Sequence, residues 1–135
     1  MPLKKGYKAL LEEANAEVVA MSPQDAAGLV DDAGTVIVDL RDPRELERDG
    51  MIPGAFHATR GMLEFWIDPE SPYHKPVFAS GKTFVFYCGG GWRSALAAKT
   101  AQDMGLGPVK HIEGGFAAWK KAGLPVAPYE PKRKG

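Results

Sequence analysis

Apolar and polar residues fall along this chain in blocks, and the blocks predict strands and helices in succession. Thr35-Val36-Ile37-Val38 is a β-branched run with no polar interruption, closed by Asp39; an unbroken run of this kind marks a strand buried on both faces of a parallel sheet. Thr83-Phe84-Val85-Phe86-Tyr87 is the most apolar run, and residues 18–20 and 109–112 are shorter candidates. Between them the period changes to that of helices. Residues 7–15 are good helix formers. Ser22-Pro23-Gln24-Asp25 and Asp42-Pro43-Arg44-Glu45 each set a capping side chain, a proline and an acid in order. They predict one helix reaching residues 30–32 and another reaching 48, the latter stopped by Gly50. Glu45 is read as the capping acid. Ile52-Pro53-Gly54-Ala55 reads as an extended turn into Phe56, residues 61–66 as a short helix, and 68–82 as a loop. From Ser94, residues Ala95, Leu96, Ala98, Ala101 and Met104 fall at helical spacing before Gly105. Gly114-Gly115 opens a last helix in which Phe116 and Trp119 share a face and belong to the core. Strands alternating with helices predict an α/β fold, a right-handed sheet covered on both faces. Ligands of such sheets bind at the carboxyl ends of the strands.

Length and charge sharpen this picture. At 135 residues the chain reads as one domain, with a core from about residue 17 to 127 and a flexible tail over 128–135. The 17 basic and 17 acidic side chains cancel, but residues 9–129 hold 11 basic against 16 acidic groups, a net of −5. An acidic body gives no support to nucleic-acid binding. The terminal run Lys132-Arg133-Lys134 reads as a solvated end. No apolar run approaches the ~20 residues of a membrane span, and Met1 to Lys8 lack the apolar stretch of a signal peptide. A single cysteine excludes an internal disulfide and cysteine-rich zinc modules, so a cytoplasmic setting is expected.

That cysteine carries the chemistry. Cys88-Gly89-Gly90-Gly91-Trp92-Arg93-Ser94 follows the strongest strand and leads into a helix. Three glycines allow positive φ values, letting successive N–H groups converge on one point. Such donors, backed by a helix start, stabilise a thiolate or an oxyanion. Arg93 adds a permanent cation with planar donors, suited to an anionic sulfur or phosphorus oxyacid. Trp92 is read as either shaping the pocket mouth or packing on the surface. Asp39 and Arg41 lie on the same side of the sheet and are read as supporting residues, through an ion pair or bonds that brace the loop. His57, His74 and His111 have no metal-ligand spacing and read as surface or satisfied polar residues, with His57 nearest the site.

Taken together these segments resemble the rhodanese family from about residue 35 to 126. Val36-Ile37-Val38-Asp39-Leu40-Arg41, with Glu45 and Gly50-Met51-Ile52-Pro53-Gly54-Ala55, looks like its first motif; Cys88 with Gly91, Arg93 and Ser94 matches its six-residue active-site loop. Gly114-Gly115-Phe116-Ala117-Ala118-Trp119 with Gly123-Leu124-Pro125-Val126 is similar to its closing motif. Met51 stands where the family usually has histidine, a local packing change. The resemblance implies a five-stranded parallel sheet flanked by helices on both faces. It implies transfer of a sulfane sulfur from thiosulfate or a persulfide to cyanide or a thiol, through a Cys88 persulfide and in ping-pong order. Cys88 and Arg93 would be catalytic, with Gly89, Gly90, Gly91, Trp92 and Ser94 binding the donor. No metal or organic cofactor is needed. The partners implied are a small anionic sulfur donor and a thiophilic acceptor, which can be a protein, with neither nucleic acid nor membrane.

Two rivals are separable. Cysteine phosphatases and arsenate reductases resemble cysteine, five residues, then arginine, whereas Cys88 and Arg93 enclose four; the shorter ring fits a sulfur atom better than a phosphate. A persulfide carrier or a regulatory protein-binding module would keep the fold without turnover.

Overall fold

In the computed structural model, which describes residues 2–130, five parallel strands form one sheet in the order β1-β5-β4-β2-β3. They are β1 (Val19–Met21), β2 (Thr35–Asp39), β3 (Phe56–His57), β4 (Thr83–Tyr87) and β5 (Val109–Ile112). The helices are α1 (Tyr7–Glu17), α2 (Pro23–Ala27), α3 (Pro43–Asp49), α4 (Leu63–Ile67), α5 (Trp92–Asp103) and α6 (Gly115–Lys121). Single 3₁₀ turns occupy Arg60–Met62 and Pro76–Ala79.

Period-two alternation sorts the sheet into two cores. Val38, Phe84, Phe86 and Val109 face α4 and α5, packing on Leu63, Ala97, Ala98 and Ala101. Ile37, Val85, Tyr87 and Ile112 face the other way, onto Ala26 of α2 and Phe116 and Trp119 of α6. Alanines on α5 let that helix lie close to the strands, with α1 against its outer side. The β2–β4 register pairs Thr35 with Thr83 and Asp39 with Tyr87. Two polar side chains therefore meet at the carboxyl edge of the sheet.

Several local expectations need correction. The helix opened by Ser22 keeps its cap, Ser22 Oγ accepting from Asp25 N at 3.0 Å, but ends at Ala27 and continues only as turns. Phe56–His57 is a fifth strand where the sequence suggested only an extended turn; two residues are too few for a period to register. The helix assigned from Ser94 begins at Trp92, because its N-cap is Gly91 in the left-handed region (φ 101°), which offers no capping side chain to read. At the expected end of the core no correction is needed: Ala127 pairs with Met51 in an antiparallel bridge, and Trp119 Nε1 donates to Pro125 O at 2.7 Å. The run Lys132-Arg133-Lys134 lies outside the described residues.

Candidate active site

Cys88 sits immediately beyond β4, at the carboxyl edge of the central strand, and is 1% exposed. Its Sγ accepts from Gly91 N at 3.2 Å and Ser94 N at 3.4 Å, and lies 3.6 Å from Ser94 Oγ. Gly91 caps α5 and Ser94 is in its first turn, so the sulfur rests at the positive end of a twelve-residue helix. Cys88, Gly90, Trp92 and Arg93 line an open cavity of about 270 Å³ above it.

The loop is shaped differently from the sequence expectation. Of its three glycines only Gly91 has positive φ; the curl comes from outside pinning rather than from glycine freedom alone. Phe116 N and Ala117 N, at the start of α6, donate to the carbonyls of Cys88 (2.7 Å) and Gly89 (3.0 Å). With its carbonyls drawn toward α6, the loop leaves N–H groups to face the sulfur. A Cβ on Gly115 would lie 2.5 Å from Cys88 O and 2.8 Å from Gly89 O, and Gly115 has φ 62°. Gly115 is thus required for the approach of α6 to the loop, a role the sequence reading gave only to a helix start.

Arg93, expected as a permanent cation with planar donors, is paired with a carboxylate. Its Nη1 and Nη2 donate to Glu45 Oε1 (2.8 Å) and Oε2 (3.0 Å), a bidentate clamp at the cavity rim. Glu45 does cap α3, where Asp42 N donates to its Oε1 at 3.1 Å, but it also fixes Arg93. The Arg93 hydrogen bonds hold the Glu45 carboxyl below the usual carboxylate range, and Glu45 in turn holds the guanidinium above its ordinary value. Trp92 belongs to the first turn of α5 rather than to a loop. It is 62% exposed, lines the cavity above Cys88, and packs its ring 5.2 Å from that of Tyr7.

Asp39 and Arg41 form a sealed pair. Arg41 Nη2 meets Asp39 Oδ2 at 2.7 Å and Gly50 O at 2.7 Å, and Nε meets Asp39 Oδ1 at 3.0 Å. The Tyr87 hydroxyl donates to Asp39 and accepts from Ile52 N. The guanidinium lies 4.2 Å over the Phe116 ring. Burial opposes the Arg41 charge, but Asp39 outweighs it and the pKa is raised; burial and then Asp39 push the Tyr87 hydroxyl upward. Asp39 does not line the Cys88 cavity, and Arg41 lines a separate one behind Gly89.

Of the histidines, His57 is a satisfied polar residue as expected, whereas His74 and His111 each keep one buried ring nitrogen without a partner. His57 Nε2 donates to Arg41 O at 2.7 Å and does not reach Cys88. His111 is 4% exposed, with Nδ1 3.0 Å from Ser94 Oγ and Nε2 without a partner. On β5 it shares a face with Val109, the side covered by α5, so it reaches the first turn of that helix. No local signal marks it, since Ser94 is 17 positions away.

The chain is similar to known proteins in sequence and in structure. The chain is 33% identical over 98 residues to a sulfurtransferase of Allochromatium vinosum, covering 73% of this chain and 83% of that one. It spans only 55% of an uncharacterised Synechocystis protein, to which it is 33% identical over 80% of its own length. Among solved structures, a Rhodopseudomonas palustris protein described as a possible tyrosine phosphatase is 62% identical with a TM-score of 0.90, over 93% of this chain and 97% of that one. A polysulfide-sulfur transferase homodimer from Wolinella succinogenes is 31% identical with a TM-score of 0.69, over 91% and 88%. The rhodanese-like domain model matches residues 22–122. That match takes in the four strands β2 to β5, the Cys88 loop and the α6 buttress, and with them the chain belongs to the rhodanese-like domain family.

Proposed function

We propose that this protein is a sulfurtransferase that carries a sulfane sulfur on Cys88. The observation that carries the reading is the seat of Cys88 Sγ, a single sulfur facing two backbone N–H groups at a helix start beneath an open cavity. Such a seat holds one anionic atom. Cys88 thiolate attacks the outer sulfur of thiosulfate, a new S–S bond forms, and the old one breaks with its electron pair departing on sulfite. The acceptor, cyanide or a thiolate, then attacks the outer sulfur and Cys88 leaves as thiolate. Arg93 at the rim meets the oxyanion end of the donor and offsets its charge. Asp39 and Arg41 act at a distance by holding the edge of the sheet.

The phosphatase reading draws on the description of the Rhodopseudomonas protein. It is disfavoured here because Cys88 and Arg93 enclose four residues, a ring that fits a single sulfur atom better than a tetrahedral phosphate. Incubation with thiosulfate followed by intact-protein mass spectrometry tests the choice. Wild type should gain the mass of one sulfur atom, lose it to cyanide as thiocyanate, and Cys88→Ser should do neither. Sulfur gain without appreciable thiocyanate would favour a carrier with a dedicated acceptor. Absence of the mass gain, or Cys88-dependent turnover of p-nitrophenyl phosphate, would overturn sulfur transfer.

A further inference from the structure

Ser94 Oγ touches two groups that the proposed chemistry uses unequally: Cys88 Sγ at 3.6 Å and His111 Nδ1 at 3.0 Å. The second contact has a consequence for the first. Imidazole carries its proton on one nitrogen or the other when neutral, and the partners of both nitrogens decide which. Burial pushes the His111 pKa down, with Glu113 opposing in smaller measure, so the ring is neutral near pH 7. Its Nε2 is enclosed and unpartnered. A proton there would be a buried donor with nothing to receive it, which costs more than a bare lone pair in the same place. The Nδ1–H form avoids that loss and donates to Ser94 Oγ.

Once Ser94 Oγ accepts from His111, its own proton must go elsewhere, and Cys88 Sγ is its other partner. We propose that His111 is a positioning residue: as the Nδ1–H tautomer it turns the Ser94 hydroxyl proton toward Cys88, adding a side-chain donor to the two backbone N–H groups that face an anionic sulfur. This rests on the reading of Cys88 as the sulfur-carrying residue. The arrangement is selective for charge. A Cys88 thiol donating to Ser94 would require the chain of bonds to reverse, Ser94 to His111 Nδ1, and would force the proton onto the enclosed Nε2. A thiolate or a terminal persulfide makes no such demand.

The surroundings leave few other groups to set the ring. Its neighbours across β1 and β4 are Ala20 and Phe86. The cavity of about 350 Å³ beside it has Asn15 from α1 and Glu113 just beyond β5, and Glu113 is the one charged residue in that lining.

Long-range nitrogen–proton NMR on histidine-labelled reduced protein reads the tautomer directly. His111 should be neutral with hydrogen on Nδ1 near pH 7; hydrogen on Nε2 overturns the proposal. Alkylation of Cys88 by neutral iodoacetamide, which involves no sulfur donor, gives the second readout. At about pH 6, His111→Phe and Ser94→Ala should each slow alkylation by roughly tenfold relative to wild type, the worth of one hydrogen bond to a charged group. The double variant should be no slower than either single one. His111→Asn, whose amide can stand where Nδ1 stands, should restore most of the rate. Wild-type alkylation in His111→Phe, or fully additive losses in the double variant, would overturn it. Failure of sulfur loading with these alkylation results intact would instead remove the sulfur-transfer reading and leave the Ser94–His111 assignment standing.

Discussion

Two arginine–carboxylate pairs sit at the same edge of the sheet, and burial separates their roles. Arg41 and Asp39 are 1% and 0% exposed, share a carboxylate with the Tyr87 hydroxyl, and leave little to solvent. Arg93 and Glu45 have the same bidentate chemistry, but their side chains are 43% and 24% exposed at the cavity rim. A sealed charge pair cannot lose one member without stranding the other in a low dielectric, whereas a pair in contact with water can. The first pair therefore belongs to the architecture of the edge. The second can respond to what enters the cavity.

The sharpest way to break the contrast is to remove one carboxylate from each pair. Asp39→Ala should cost about 3–5 kcal/mol of stability in urea denaturation, because Arg41 is left buried and uncompensated. Glu45→Ala should cost less than about 1 kcal/mol beyond the loss of its cap. Removing the rim cation instead should show in binding: Arg93→Ala should raise the KM for thiosulfate about tenfold or more while alkylation of Cys88 by iodoacetamide persists. Smaller and opposite in sign is Glu45→Gln, which keeps a hydrogen bond to Arg93 but unmasks its charge; the KM for thiosulfate should fall roughly threefold. A KM unchanged in both variants would show that the rim pair does not meet the donor. Smallest is the acid response. The Glu45 carboxyl is lower in the folded chain than in the unfolded one, so its contribution is complete above about pH 4.3 and fades as pH falls through the folded value. The stability difference between wild type and Glu45→Gln should accordingly stay flat from about pH 7 to 5 and shrink only below that.

The ion pair of Asp39 with Arg41 was legible from sequence, but its seal was not, and the pairing of Glu45 with Arg93 was not legible at all. Asp39 and Arg41 are two apart, and their seal depends on Tyr87, placed opposite Asp39 by a strand register that no local pattern specifies. Glu45 and Arg93 are 48 positions apart, so the capping signal was visible and the clamp was not. The strands β2 and β4 were readable because burial on both faces demands continuous apolar runs, whereas β5, Val109–Ile112, carries Lys110 and His111 and gave only a shorter candidate. β3 was not, since its two residues are placed by pairing with Val38 and Asp39 rather than by their own pattern. The start of α5 was hidden by a glycine cap. Cys88 and its loop stood out from residue types alone, but Gly115 and His111 act through close approach and through a partner on another element, and distance in sequence conceals both.

The hydrogen bonds from α6 to the carbonyls of Cys88 and Gly89 have a kinetic consequence. They shape the loop from behind, with groups that no donor or acceptor touches, so the socket does not depend on its cargo for its form. A site built this way need not wait on a slow rearrangement between loading and unloading. In the proposed cycle the moving parts are then the sulfur with its donor and acceptor, and the pace is set by their encounters with the rim and by the S–S exchange itself.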